Sequence, residues 1–436
     1  MLQAGFARVD ITPPFGNDLS GYYERRLADG TLDPLYLNAV ALTAREETVL
    51  LMAADYIGIK MDQCAKIREM ICARTGVPTD HILIAALHQH TSPCLADPEK
   101  RETALRDKTF IDVVYRRFAD AAVMALDDRA DAEMSVASRD VAEPIAFVRR
   151  YFTKEAGVVT NPGSQFTLTG RCAEADNTVR LVRFARKDKN DIAILNFSTH
   201  PDVIGGTKWS ADWPGFARRF LEEGAPGTSC LFFTGCQGDS NHNDYFKPRE
   251  ERLHGGRYEH SQYMGRMVAD AALAVWNEMT PVPDDSIFAE CRTIYNRTNT
   301  EGIEKYDECV EWVKDYKAGK HPAGTFTMAE RAFCYRVSAL REQPVFRPVP
   351  ITVIGVGGVV FVGFGGEAFT SYGQIMRDLC PERFVVSAVC ANGYEGYLPT
   401  AEAFRQGGYE ACSSFFMPTL EEEIVAAAKE MLENLK

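Results

Sequence analysis

A chain of 436 residues, 46% hydrophobic and 25% charged, has ordinary globular composition and can bury a large core, as one big domain or as two or three intimately joined ones. Its 48 Lys and Arg against 61 Asp and Glu leave a formal charge of -13, which repels phosphate backbones and anionic lipid and so disfavours nucleic acid and anionic membranes as partners. No apolar stretch reaches the roughly eighteen residues of a membrane span, and Met1-Leu2-Gln3-Ala4-Gly5 lacks the basic and apolar regions of a signal peptide, so the expected location is cytoplasmic.

The elements expected from periodicity alternate along the chain. A buried strand over 49–54 precedes an amphipathic helix over 61–75, which Gly76 and Pro78 end. A strand over 81–87 and a helix over 109–127 follow. Further strands are expected near 178–185, 191–198, 229–234, 349–355, 358–363 and 384–390. Helices are expected near 212–223, 258–279, 304–317, 327–341, 369–380 and 419–435. The alternation predicts an α/β architecture with helices covering the sheets. Short turns at Arg45-Glu46-Glu47 and Gly357-Gly358 predict mixed rather than all-parallel sheets. The segments 141–178, 237–257 and 391–418 read as irregular, and long irregular stretches inside a compact chain are often functional loops. The 12 cysteines are scattered, with no Cys-x-x-Cys pair, and read as reduced, mostly buried thiols.

Of eight histidines, three fall at the ends of expected strands. His88 and His90 lie in Ala85-Ala86-Leu87-His88-Gln89-His90-Thr91-Ser92-Pro93. Residues two apart in an extended chain share a face, so both rings can reach one point. His200 lies in Asn196-Phe197-Ser198-Thr199-His200-Pro201, where Pro201 imposes extended geometry on the residue before it. Imidazole and carboxylate are the usual ligands of zinc, whose catalytic sites keep a position open for water. A His-x-His pair by itself is equally a pair of loop-bonding histidines.

The motifs resemble, in order, those of the catalytic domain of the neutral, non-lysosomal ceramidases. Ala7-Arg8-Val9-Asp10-Ile11-Thr12-Pro13 resembles the family's opening R-x-D-I-T, and Asp33-Pro34-Leu35 and Ala53-Ala54-Asp55 resemble its T-P-L and S-A-D. The His88 segment resembles A-T-H-T-H-S-G-P, and Thr199-His200-Pro201 resembles x-H-P. Gly366-Glu367-Ala368-Phe369-Thr370 resembles G-E-F-T-T. Tyr397-Leu398-Pro399-Thr400 and Tyr409-Glu410-Ala411 resemble Y-x-T-T and Y-E-A/G.

The resemblance implies one ceramidase-like catalytic domain over 1–436, with zinc held by His88, His200, Glu367 and Tyr397. It implies His90 as the proton-transfer group beside a zinc-activated water. Tyr409 and Arg149, with Arg150 as the alternative, would stabilise an oxyanion. The family's loop G-D-x-S-P-N reads Gly238-Asp239-Ser240-Asn241-His242-Asn243 here. Asn241 stands where the family has its serine, and Asp239, Asn241 and His242 are candidates for binding substrate. The aromatics Trp209, Trp213, Tyr394 and Phe415 near the motif loops are candidates to stack on a sugar ring, with core packing the alternative. The chain stops soon after the last motif, where the ceramidases continue into a β-sandwich domain. The expectation is a zinc amide or ester hydrolase acting on a small soluble compound; a zinc lyase, isomerase or hydrolase on sugars and a non-catalytic binding protein are the competing readings.

Overall fold

The computed structural model describes residues 2–99, 103–282, 286–322, 324 and 326–435. Its largest sheet has nine strands. They run in the order Thr228–Thr234, Asp191–Phe197, Thr178–Arg186, Ala130–Asp140, Gln3–Asp10, Tyr36–Ala44, Glu47–Ala54 and Ile82–Ala86, with Thr280–Pro281 added on Ala130–Asp140. Neighbours are antiparallel in the middle and parallel at both ends, where Asp191–Phe197 meets Thr228–Thr234 and Glu47–Ala54 meets Ile82–Ala86. A second sheet holds Ile287–Arg297, Phe346–Val356, Val359–Phe364 and Phe384–Ala388, and its last pair is also parallel. The mixed sheets expected from the two short turns are present at both turns.

Alternation along Glu47–Ala54 shows how two cores form on one sheet. Leu50, Met52 and Ala54 face one way, into a cluster with Ile67 of helix Met61–Thr75 and Phe118 of helix Lys108–Asp127. Val49, Leu51 and Ala53 face the other way, towards Trp213 and Leu221 of helix Asp212–Gly224 and Val268 of helix Arg257–Ala274. All six strand residues are fully buried. Each buried aliphatic side chain of this kind contributes about 1.5–3 kcal/mol, and the period of two commits the strand's register. Helix Met61–Thr75 ends as expected at Gly76, whose φ of 77° closes the last turn through its N–H to Cys72 O. Helix Lys108–Asp127 starts on Asp107, whose carboxylate accepts from Phe110 N.

The carboxyl ends of the parallel strands converge. Thr234 Oγ1 donates to Leu87 O at 2.8 Å, Val389 N to Thr234 O at 3.0 Å, and Asn196 Nδ2 to Ser387 O at 2.9 Å. These bonds tie the ends of Ile82–Ala86, Asp191–Phe197 and Phe384–Ala388 to one place. In open α/β sheets that is where ligands bind.

Three differences from the sequence reading stand out. Strands Gln3–Asp10, Ala130–Asp140 and Ile287–Arg297 carry no buried apolar run, because one face of each is exposed or half-exposed. The segment 141–178 is ordered: Arg150–Thr153 pairs with both Gly157–Thr160 and Leu168–Arg171. Within 391–418 lie the short helices Ala401–Gln406 and Tyr409–Ser413. Among the described residues no helix is long and apolar enough to cross a membrane.

Candidate metal centre

The residues expected to chelate a metal are carried by strand ends. His88 is two residues beyond Ile82–Ala86 and has a φ of 76°, a left-handed backbone that is costly for any residue with a Cβ. It is held there by its N–H to Tyr56 O at 2.9 Å. His88 and His90 therefore do not share a strand face as expected; a tight turn brings their rings to 5.3 Å. His90 N donates to Pro201 O at 3.1 Å, which joins the two histidine segments directly. Glu367 and Tyr397 are brought together by backbone pairing, since the two-residue strands Glu367–Ala368 and Tyr397–Leu398 run parallel with Glu367 opposite Tyr397.

Glu367 Oε2 lies 3.2 Å from His88 Nε2 and 3.2 Å from His200 Nε2. All three residues are at most 2% exposed. On the far side of each ring Nδ1 faces backbone carbonyls: Ile57 O at 2.8 Å for His88, Gln237 O at 2.9 Å and Ser240 O at 3.0 Å for His200. A carbonyl only accepts, so each Nδ1 carries the hydrogen, and in a neutral ring Nε2 presents a lone pair. Burial, with Arg149 adding to it, lowers the His200 pKa, so that ring is neutral. Burial alone would raise Glu367, but the neighbouring His88 and His200 hold its carboxyl well below the usual range. The two Nε2 atoms and Glu367 Oε2 thus face one another in a buried space, an arrangement a cation would satisfy.

Two donors bound tetrahedrally to one zinc, with bonds near 2.0–2.1 Å, stand about 3.3 Å apart. The spacing and the donor chemistry both fit that ion. The histidine side of the cluster also includes His90: ring nitrogens of His88, His90 and His200 lie within 4.8 Å of one another.

Tyr397 Oη accepts from Arg149 Nη2 at 2.9 Å, and its ring lies 6.3 Å from that of His200. Burial drives its phenol well above the ordinary range despite Arg149. The His90 ring has no hydrogen-bond partner on either nitrogen; burial and the neighbouring His88 push its pKa well below the ordinary value. Tyr409 packs edge-on against Tyr397 at 5.5 Å. Burial raises its phenol.

Arg149 and Arg150 separate cleanly. Arg149 donates Nε to Glu410 at 2.8 Å and Nη2 to Gly238 O and Tyr397 Oη. Arg150 points away, to Glu410, Gly407 O and Gln406. Asn241 donates to Asn161 Oδ1 at 3.0 Å and accepts from Asn243 N. His242 Nδ1 lies 3.2 Å from Asp202. Asp239 Oδ1 accepts from Thr370 N and Thr370 Oγ1, both at 2.8 Å, and so fixes the start of helix Thr370–Leu379. Trp209 and Trp213 are fully buried core residues, and Phe415 lies under Arg347 at 4.9 Å. Sugar stacking by these three is not what the fold uses them for.

Sequence reasoning missed the supports behind the cluster. Tyr394 donates to Glu367 Oε1 at 3.3 Å and packs against His88 at 5.5 Å. Arg218 grips Asp55 with two bonds of 2.7 and 2.6 Å, and the same carboxylate takes Gln89 Nε2 at 3.1 Å, steadying the residue between the two histidines. Gly238 passes so close to the ligand segment that a Cβ there would sit 2.3 Å from Glu367 O. The Ala-Ala-Asp motif was the available sign of Asp55; nothing in the sequence marked its partner.

No sequence model of a known family matches the chain, and no curated protein matches it. Solved structures do. Neutral ceramidase from Pseudomonas aeruginosa superposes with a TM-score of 0.74 at 15% identity, over 100% of this chain and 74% of that one. A structure described as ceramidase complexed with C2 gives the same TM-score and identity, over 99% and 74%. Over essentially its whole length, this chain has the fold of the neutral ceramidases.

Proposed function

We propose that the protein is a zinc-dependent hydrolase of an amide or ester bond, one catalytic domain with His88, His200, Glu367 and Tyr397 as the metal ligands. The observation that carries this reading is the meeting of two imidazole nitrogens at 3.2 Å from one carboxylate oxygen, which is electrostatically tolerable around a cation. Zinc bound there would make a water acidic enough to attack near neutral pH and would polarise a carbonyl.

The side chains around it then have distinct duties. His90, neutral through burial and the nearby His88, takes the proton from the attacking water and returns it to the leaving amine or alcohol. Tyr409 keeps its phenol proton because burial raises it, and donates to the developing oxyanion. Arg149 has Nη1 left for the same oxygen after Glu410, Gly238 and Tyr397 have taken Nε and Nη2. Asn241 retains one amide hydrogen and one lone pair, enough to read a polar group of the substrate; His242 stands next to it. Phenols, amides and charged groups around the cluster favour a small soluble substrate over a long acyl chain.

The test is metal content and activity together. The purified protein should hold one zinc that His88→Ala loses, and should cleave members of an amide and ester panel only without chelator. A well-folded protein that takes up no divalent metal would end this reading.

A further inference from the structure

A cleft of about 480 Å³ opens between Tyr22, Ile204, Gly206, Arg257 and Tyr258. It lies one aromatic ring outside the cluster, because Tyr22 packs edge-on against His90 at 5.3 Å. We propose that this cleft binds an anionic group, a carboxylate or a phosphate, on the compact substrate whose scissile bond reaches the histidines past Tyr22. The inference rests on the hydrolase reading for the word substrate, but the anion site itself does not.

Arg257 lines the cleft, and the Arg26 guanidinium lies beside it, bonded to the carbonyl of the lining residue Gly206. Arg26 lies over the Tyr22 ring at 4.2 Å. It donates only to backbone carbonyls: Gly206 O at 2.8 Å, Ser20 O at 2.9 Å and His90 O at 2.7 Å. Its Nε is buried and has no partner. Arg257 faces solvent at the rim of the cleft and donates to Val203 O at 3.2 Å. Among the described residues neither arginine has a carboxylate within 4.0 Å. Several other arginines of this acidic chain are paired with carboxylates, as with Arg8 on Glu222, Arg149 on Glu410 and Arg218 on Asp55.

Two of the carboxylates near the cleft are engaged by donors, and a third faces a histidine. Asp33 accepts from Ser210 and from Tyr258 at its wall, Asp212 from Val203 N, Ile204 N and Ser261, and Asp202 faces His242. The two guanidinium groups beside the cleft thus lack a direct carboxylate partner, although Glu24 and Asp202 act on the region from further off, and an anion from solution would supply one. Tyr22 adds a donor: burial, with Asp202 behind it, pushes its phenol up to about 12, so it stays protonated at neutral pH.

The test uses the full-length zinc-loaded protein and three amides that differ in one group: N-acetylglycine, N-acetylethanolamine and N-acetylethanolamine phosphate. One or both anionic amides should show a kcat/KM at least tenfold above the neutral one, with the difference in KM and shrinking as salt rises. Whichever anion leads identifies the group. Arg257→Gln, a solvent-facing change that leaves the core untouched, should bring the three amides to within about twofold of one another. Equal handling of the neutral amide, or a preference that Arg257→Gln leaves intact, overturns the proposal. Should no amide be cleaved although zinc is bound, the hydrolase reading fails by itself. Calorimetric binding of methylphosphonate and acetate, lost in Arg257→Gln, then still decides for or against the anion site.

Discussion

His88, His200, Glu367 and Tyr397 stand on the ends of long buried strands or in a two-residue pairing pinned between them. The groups that cover them are held differently. Tyr22 and Tyr23 lie in the loop between the paired two-residue strands Asp18–Leu19 and Arg26–Leu27, and their rings are held by side-chain contacts. Tyr22 rests under Arg26, while Tyr23 touches Tyr335 at 4.7 Å, Arg331 at 4.8 Å and Tyr409 through a phenol hydrogen bond. Tyr335 and Arg331 belong to helix Met328–Ser338, far along the chain. The floor is thus fixed by ladder hydrogen bonds and two cores, and the cover by ring contacts worth about 0.5–1.5 kcal/mol each. On the proposed reading a substrate would have to pass the cover, and a floor that does not move and a cover that opens cheaply would be complementary requirements.

Substitutions in the floor should have the larger effects. His88→Ala should abolish stoichiometric metal after dialysis against a chelator, and with it all measurable hydrolysis; retained zinc would show that His88 is dispensable. Arg218→Met leaves the fully buried Asp55 without its cationic partner. The cost should be about 3–5 kcal/mol, read as a fall in urea midpoint, and a loss below 1 kcal/mol would mean the pair is not part of the scaffold. Tyr409→Phe removes one oxyanion donor and should lower kcat about 10²–10³-fold with zinc content unchanged. Tyr394→Phe removes the bond to Glu367 Oε1, and zinc affinity should fall about 10–100-fold in a competition titration. In the cover, Tyr23→Phe should cost no more than about 1 kcal/mol of stability by the same denaturant assay. A cover substitution that damages stability as much as Arg218→Met would erase the contrast between the two regions.

The same division separates what was legible in the amino-acid sequence from what was not. The strands ending near His88 and His200 are continuous apolar runs, and the histidines at their ends were visible as a pattern. Helix 61–75 was visible to the residue, because Gly76 and Pro78 punctuate its end. The neighbourhood of Glu367 and Tyr397 was not visible from spacing, since a two-residue parallel pair joins segments thirty residues apart and leaves no periodicity. Arg218 was equally hidden: an arginine on an amphipathic helix reads as a solvated charge until the fold buries it against Asp55. The left-handed turn at His88 replaced the simple two-residue alternation, and only coordinates reveal that. Strand Ala130–Asp140 escaped because its half-exposed faces carry Asp, Glu, Ser and Arg where a buried strand would carry Val and Ile.

The left-handed backbone at His88 is unfavourable by itself, and the buried carboxylate and imidazoles beside it are an arrangement that a cation would favour. On the proposed reading, an ion bound there would relieve the electrostatic part and hold the turn, and by linkage would stabilise the folded chain as a whole. At a free zinc concentration a hundred times its dissociation constant the gain is about 2.7 kcal/mol. A chelator should consequently behave as a mild denaturant of this protein, lowering its melting temperature even where no substrate is present, and the supply of metal would then be a determinant of how much folded protein a cell retains.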